Sequence, residues 1–135
     1  MTEKEKQLLL KDLCARVPYG VICNYNCVIP VGKRSLDKAN AKDKLKGIIP
    51  MPGGHIGFMV GIDRVDALEG DIKPYLRSMS SMTEDEKDEY YKTYEWDYGI
   101  QGTPFDWLNS HHLDYRGLIE KGFALEAPID MYKTE

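Results

Sequence analysis

Apolar residues near the amino end of the chain recur at spacings of three and four. The set is Leu9, Leu10, Leu13, Cys14 and Val17. This spacing places one apolar stripe along a helix. Thr2 and Glu5 have capping-box spacing, so the helix is predicted to begin there and to run to about Arg16. Charged residues such as Asp12 fall largely outside the stripe and are expected on the surface, and Pro18 ends the helix.

Alternation of apolar and polar residues, which is typical of strands, follows the helix. Residues 20–29 form the first predicted strand, with one face made by Val21, Cys23, Tyr25, Cys27 and Ile29, and the other by Asn24 and Asn26. Residues 31–47 are interpreted as a long, polar, lysine-rich connection. Further strands are predicted over Leu45–Met51, His55 to about Ile62, and Arg64–Leu68.

The second half of the chain carries helix signals instead of strand signals. Ile72–Ser81 contains Pro74 and several serines, and is interpreted as an irregular segment packed on the sheet. Thr83 and Glu86 repeat the capping-box spacing, which predicts a helix to about Trp96.

Thr103 as N-cap and Pro104 as first helical residue predict a third helix that ends near His112. Asp114 is expected to cap a short helix that stops at Gly122. A frayed tail is expected over residues 128–135.

This order of elements predicts an α+β class with one domain over residues 1–135. No strand–helix–strand alternation occurs, which argues against a parallel sheet. Three or four consecutive strands joined by turns favour an antiparallel meander, either open or curled into a small SH3-like barrel.

Composition and charge restrict the cellular location and the class of this protein. The 135 residues carry a net charge of −4, which argues against a protein built mainly to coat nucleic acid. No apolar run is long enough for a membrane span, and the amino end lacks the apolar stretch of a secretory signal. Three cysteines without regular spacing do not form a disulfide framework. A cytoplasmic protein without membrane contact is therefore expected.

The lysine-rich segment 31–47 is the clearest basic feature. Its two aspartates are outnumbered by six cations, which are Lys33, Arg34, Lys38, Lys42, Lys44 and Lys46. The segment therefore carries +4 and the rest of the chain −8. Such a segment predicts contact with nucleic-acid phosphates, although it lacks the aromatic residues that single-strand binders use for stacking. The alternative interpretation is a solvated hairpin extension.

The helix that follows Thr83 has the opposite charge and is rich in aromatic residues. Residues 83–97 hold seven acids and two lysines, which gives −5. Aromatic side chains with polar tips are enriched at interfaces. The predicted protein-binding residues are Tyr91, Tyr94, Trp96 and Trp107. Core packing of these aromatic residues is the alternative. A further alternative is a dimer in which the acidic helix of one copy attracts the basic segment of the other.

Two clusters are candidates for metal binding or catalysis. Cys14, Cys23, Cys27 and His55 are the candidate zinc ligands, but a second regularly spaced pair is missing, and small core thiols are the alternative. His111, His112 and Asp114 are the candidates for a metal-dependent hydrolase. Adjacent helical residues point about 100° apart, so both histidines cannot hold one metal from a regular helix. We therefore expect no metal, no cofactor and no assembled catalytic set.

Three stretches of the sequence resemble a known group of proteins. They are Val17-Pro18-Tyr19-Gly20-Val21, the segment from Lys73 to Glu84, and the segment from Asp106 to Gly122. Together they are similar to small uncharacterised proteins encoded by phages and prophage-like elements of gut Bacteroides. The resemblance implies a mobile-element origin and expression in the host cytoplasm, and it brings no activity, ligand or catalytic residue with it.

Three functional hypotheses follow. The favoured one is a non-enzymatic interaction module that binds a protein partner or itself. The first alternative is a nucleic-acid-binding accessory protein that uses the 31–47 segment. The second is a small metal-dependent hydrolase around His111, His112 and Asp114.

Overall fold

A computed structural model describes residues 2–30, 36–50, 56–60, 63–65, 72–95 and 104–132. The chain forms two compact units, Met1–Tyr75 and Leu76–Glu135. The first unit contains a helix and a sheet, and the second contains the later helices. The α+β class is therefore confirmed, whereas the single domain stays a prediction.

Helix α1 spans Glu3–Arg16 and begins with the predicted capping box between Thr2 and Glu5. Leu9 and Leu13 are fully buried, as the apolar stripe predicts. Asp12 and Arg16 are also fully buried, so the surface position predicted for Asp12 is wrong. The Arg16 Nε–H donates to Asp12 Oδ2 at 2.9 Å. Because the two residues lie one turn apart, each charge neutralises the other inside the unit.

Five strands make the sheet of the first unit, in the order β4-β3-β2-β1-β5 with antiparallel neighbours. They are β1 (Ile22–Pro30), β2 (Leu36–Pro50), β3 (Ile56–Val60), β4 (Asp63–Val65) and β5 (Ile72–Leu76). Strand β2 pairs first with β1 and then with β3, after a register shift between Leu45 and Gly47. The sheet is open, so the SH3-like barrel is not supported.

The 31–47 segment differs from its predicted form. From Leu36 onward it is strand β2, which pairs with β1 from Pro30↔Leu36 to Ile22↔Lys44. The lysines favoured a loop in the sequence, but a strand with one solvated face accommodates them on that face. Asn40, Lys42 and Lys44 are exposed while Leu45 is buried.

The irregular segment predicted at Ile72–Ser81 is also partly wrong. Its first five residues form β5, which pairs with β1 through Cys23↔Pro74 and its neighbours. Ile72, Pro74 and Leu76 are buried and alternate with partly exposed residues. Proline usually interrupts a strand, but here one missing N–H group does not outweigh the burial of an alternating apolar face.

Burial in the other strands agrees with their predicted faces. Val21, Cys23 and Tyr25 are buried, and Asn26 on the opposite face is exposed. Phe58 and Val60 of β3 are fully buried. The predicted fourth strand begins at Asp63 in β4, and residues 66–68 lie outside the described part of the chain. The side chains of Cys27 and Ile29 also lie outside it.

In the second unit, helix α2 spans Glu84–Lys92 and helix α3 spans Pro104–Ser110. Trp107, Leu108 and Leu113 form the centre of its core. Strand β6 (Leu125–Glu126) follows in the chain, and next to it the Ala127 N–H donates to the Leu76 carbonyl at 2.7 Å. Pro104 is the first residue of α3 as predicted, while Thr103 lies outside the described residues.

Helix α3 ends in a Schellman motif centred on His112. This residue has φ of +60°, the left-handed conformation that closes many helices. The His112 N–H donates to the Asn109 carbonyl, and the Leu113 N–H donates to the Leu108 carbonyl at 3.0 Å. Leu108 and Leu113 are both buried and complete the hydrophobic contact of the motif. The helix therefore ends at Ser110, two residues before its predicted end.

The segment after α3 is held by turns. The Asp114 carboxylate accepts from the backbone N–H groups of Leu118 and Ile119 at 2.9 and 3.0 Å. Its capping role is as predicted, but the segment it caps is a turn and not a helix. Residues 129–132 form a turn, and residues 133–135 lie outside the described part of the chain, so the frayed tail stays a prediction. Within the described ranges, no helix has the length and apolar content to cross a membrane.

Candidate partner-binding surface

The amino end of α2 is fixed by two sets of bonds that share one carboxylate. The Thr83 N–H donates to Glu86 Oε1 at 3.0 Å, and the Glu86 N–H donates to Thr83 Oγ1 at 3.1 Å. The Arg77 guanidinium forms a fork with the same carboxylate, with distances of 2.7 and 2.8 Å. A bidentate pair of this kind is both strong and directional. The hydrogen bonds from Arg77, helped by the cap, hold the pKa of Glu86 down at about 2, although burial of the carboxylate opposes them.

Arg77 is itself anchored by its backbone. Its N–H donates to the His112 carbonyl at 2.7 Å, and its carbonyl accepts from the Asp114 N–H at 2.8 Å. Its guanidinium also donates to the Ser81 carbonyl at 3.3 Å. The start of α2 is therefore tied, through Arg77, to the segment that closes α3.

Tyr90 attaches the carboxyl half of α2 to the core. Its ring lies 5.6 Å from that of Trp107, and the Tyr90 and Tyr94 hydroxyl groups are 2.8 Å apart. Burial of Tyr90 and the bond to Tyr94 raise the pKa of Tyr90 to about 12. The buried Thr93 hydroxyl donates to the Tyr90 carbonyl at 2.6 Å. The last turn of α2 is thus held in place beneath its outer side chains.

Those outer side chains are Tyr91 and Tyr94, which are 67% and 63% exposed. Tyr91 lies in the last turn of α2, and Tyr94 lies in the 3₁₀ turn that follows it (Thr93–Glu95). Both rings contact that of Tyr90, at 6.0 and 5.5 Å. We call this pair the tyrosine surface. Four exposed residues of α2 are carboxylates, namely Glu84, Asp85, Asp88 and Glu89, against one exposed cation, Lys92, while Lys87 pairs with Glu84. The tyrosine surface is therefore an aromatic area with a border in which acids outnumber cations.

The two tryptophans that were predicted to bind a partner do not join the tyrosine surface among the described residues. Trp107 is only 7% exposed and packs in the core of the second unit. Its assignment to the partner surface is therefore corrected to a supporting role beneath Tyr90. Trp96 lies outside the described residues.

The candidate hydrolase residues have structural partners. The His111 ring stacks on Trp107 at 3.9 Å, and its Nδ1–H donates to the Trp107 carbonyl at 2.9 Å. The His112 ring stacks on Tyr132 at 3.7 Å. Both Asp114 oxygens are engaged by backbone amides. Because α3 ends at Ser110, His111 and Asp114 do not lie together on a helical face.

The candidate zinc ligands are not brought together where the structure describes them. Cys23 is fully buried, and burial together with the nearby Asp12 raises the pKa of its thiol to about 12. Cys14 is exposed, which differs from the core position that its spacing predicts. The side chain of Cys27 and all of His55 lie outside the described residues. Within those residues, no group of three His, Cys, Asp or Glu side chains could hold a metal ion.

The basic residues of the 31–47 segment are described only in part. Lys42, Lys44 and Lys46 are exposed on β2. Lys38 belongs to the same strand, but its side chain lies outside the described part of the structure. Lys33 and Arg34 lie entirely outside it. Sequence reasoning missed the surroundings of these lysines on the folded sheet, where Asn24 of β1 lies opposite Lys42 and Lys73 of β5 lies on the far side of Asn24. It also missed Arg77, because a lone arginine 9 residues before its partner Glu86 has no recognisable spacing.

Comparisons with known proteins place no further constraint on these surfaces. No protein-family model, no curated protein and no solved structure matches this chain significantly.

Proposed function

We propose that this protein is a non-enzymatic interaction module that binds a protein partner through the tyrosine surface. The observation that carries the proposal is the exposure of Tyr91 and Tyr94, at the carboxyl end of α2 and in the turn that follows it, on a support that is fixed at both ends. An exposed large aromatic group costs free energy in water unless a partner covers it. Two such groups packed against one ring, on a rigid support, are typical of the anchors of a binding site.

Preorganisation favours the same conclusion. The Tyr94 ring meets Tyr90 edge to face at 5.5 Å, and the bond between their hydroxyl groups restricts its rotation. A side chain that is already oriented loses less entropy when a partner binds. Tyrosine also has few rotatable bonds for its contact area. The tyrosine surface is thus suited to bind without rearrangement of α2.

The chemistry of the partner follows from the acidic border. Four exposed carboxylates on α2 repel an acidic surface and attract a basic one. The partner is a protein segment with a pocket for aromatic rings and lysine or arginine residues around that pocket. Phosphate groups of nucleic acid would be repelled here.

The non-enzymatic part of the proposal is supported by the structural contacts of the three candidate hydrolase residues in the second unit. His111 and His112 stack on aromatic rings, and Asp114 holds a turn. A phage or prophage origin, and action in the host cytoplasm, belong to the same proposal and rest on the resemblance of three sequence stretches.

A site-specific cross-linking experiment tests the proposal. Tyr91 is replaced with the photoreactive analogue p-benzoylphenylalanine, and the tagged protein is irradiated in its host and purified. We expect a discrete cross-linked band from this position. Ile129, which is 88% exposed in the same unit, is replaced in the same way as the matched control and should give no such band. Equal cross-linking from both positions, or none from Tyr91, would contradict the proposal.

A further inference from the structure

Charge is distributed unequally between the two compact units. Residues 1–75 contain 12 lysines and arginines and 9 acids, which gives +3, while residues 76–135 contain 6 and 13, which gives −7. These values add to the net charge of −4. Charge asymmetry between two halves of a chain is typical of proteins in which one half meets a polyanion. The basic excess lies in the unit that contains the sheet.

One face of that sheet carries mainly polar and cationic side chains, and no carboxylate among its described residues. The alternation of β1, β2 and β5 assigns to it one aliphatic residue, the partly buried Ile22 opposite Lys44, together with Asn24, Asn26, Asn40, Lys42, Lys44, Lys73 and Tyr75. We call this set the asparagine–lysine face. The other face holds the buried Cys23, close to Asp12 of α1. All of these residues belong to the first unit.

The strand register arranges the face in rows. Asn24 lies opposite Lys42 on one side and opposite Lys73 on the other. Adjacent strands are about 4.8 Å apart, so the backbone positions of the two lysines are about 10 Å apart, with Asn24 between them. Lys44 lies two residues from Lys42, which is about 7 Å along the strand. The cations therefore border a strip of amides on both sides.

The amides of the strip are held in fixed orientations. Asn24 and Asn40 exchange two side-chain bonds, of 2.9 and 2.8 Å, and Asn40 also donates to Asn26 at 3.0 Å. The amide oxygen has two acceptor positions and the amide nitrogen has two donor hydrogens. The network fixes the side chains, and each amide retains capacity for a further bond. Tyr75 stands beside Asn24, with its hydroxyl 3.5 Å from the Asn24 amide nitrogen.

We propose that the asparagine–lysine face binds single-stranded nucleic acid. The lysines at its borders meet phosphates, the amide strip meets the edges of unpaired bases, and the partly exposed Tyr75 ring supplies an aromatic contact. A duplex fits less well, since its base edges lie in grooves that require a protruding helix or a narrow ribbon. A flat surface of three strands reaches only bases that are already unpaired.

Fluorescence anisotropy with a labelled single strand of about 15 thymidines or uridines tests the proposal, since compact single-strand sites cover up to about 16 nucleotides. A duplex of the same length is the second probe. The variant is Lys42→Gln with Lys44→Gln. The control is Lys4→Gln with Lys11→Gln, which removes two exposed charges from α1 in the same unit. Both variants have the same net charge, so a non-specific effect would be equal in the two.

We expect binding of the single strand in preference to the duplex, with a linear dependence of log affinity on log salt. The Lys42/Lys44 variant should reduce the steepness of this dependence by about 1.4, at about 0.7 for each phosphate that a lysine no longer neutralises, while the control pair leaves it unchanged. Absence of binding, equal binding of duplex, or equal effects of the two variants would overturn the proposal. A salt-sensitive dimer of the protein that excludes the oligonucleotide would also overturn it, because the acidic α2 of a second copy would then occupy the face.

Discussion

Replacement of Glu86 with Gln tests the attachment of α2, on which the tyrosine surface depends. Glutamine retains an oxygen for the Thr83 N–H, so the helix cap is kept. It removes the negative charge that pairs with Arg77 through bonds of 2.7 and 2.8 Å. The variant therefore isolates the ion pair from the cap.

The magnitude follows from the pKa of Glu86, which is lowered from 4.5 to about 2. At about 1.4 kcal/mol for each pH unit, this corresponds to about 3 kcal/mol. The two side chains are 22% and 18% exposed, so screening by water reduces the value, and we expect about 2 kcal/mol. Because the pKa is lower in the folded state, this stability is present above pH 4.5 and is lost as the pH falls towards 2.

Chemical denaturation at a series of pH values measures the effect. Wild type should lose about 2 kcal/mol more than Glu86→Gln between about pH 6 and about pH 2, because the variant has no carboxylate to protonate at this position. Glu84→Gln is the matched control, since Glu84 is on the same helix and its side chain is 89% exposed. Its pH dependence should equal that of wild type. Parallel pH curves for wild type and Glu86→Gln would refute this account of the ion pair.

Three further predictions concern the two units. His112→Gly should be more stable than His112→Ala by about 1 kcal/mol in chemical denaturation, because φ is +60° there; the opposite order would exclude the Schellman role. Asp12→Ala should lower the free energy of unfolding by about 3–5 kcal/mol, because it leaves the Arg16 charge buried. The double variant Asp12→Leu with Arg16→Met should lose much less in the same denaturation assay. Equal losses in the two variants would contradict a neutralising role for Asp12. Iodoacetamide followed by peptide mass spectrometry should modify the exposed Cys14 much faster than the buried Cys23; comparable rates would show that Cys23 is accessible.

Local signals in the sequence are sufficient for the helix starts. Both capping boxes, at Thr2 and at Thr83, are present in the structure. A capping box involves residues only three apart, so its geometry is set by the helix that it begins. Pro104 is likewise the first residue of α3 for a local reason, its fixed φ angle.

Strands are harder to predict because their partners are distant in sequence. The lysines of β2 suggest a loop in the sequence, but in the folded chain this segment pairs with β1 as an antiparallel strand. Pro74 suggests an irregular segment, yet β5 forms because Ile72 and Leu76 find a buried face beside β1. In both cases tertiary pairing outweighs local propensity.

The candidate site is predictable in its exposed part only. Tyr91 and Tyr94 can be selected because they are aromatic residues on an acidic helix. The burial of Trp107 depends on Tyr90 and His111, which pack against its ring. Arg77 cannot be assigned as the partner of Glu86 from the sequence, because their contact requires a turn between β5 and α2 that has no sequence signature.

The central claim is tested most directly by the double variant Tyr91→Ala with Tyr94→Ala. Two quantities are measured on it: its affinity for the partner captured by cross-linking, and its free energy of unfolding. Truncation of one anchor residue at an interface typically costs about 2 kcal/mol or more. The account predicts at least about a 30-fold loss of affinity, with a free energy of unfolding within about 1 kcal/mol of wild type. Ile129→Ala should change neither quantity. Unchanged affinity, or a collapse of stability in the double variant, would contradict the claim that these tyrosines serve a partner and not the fold.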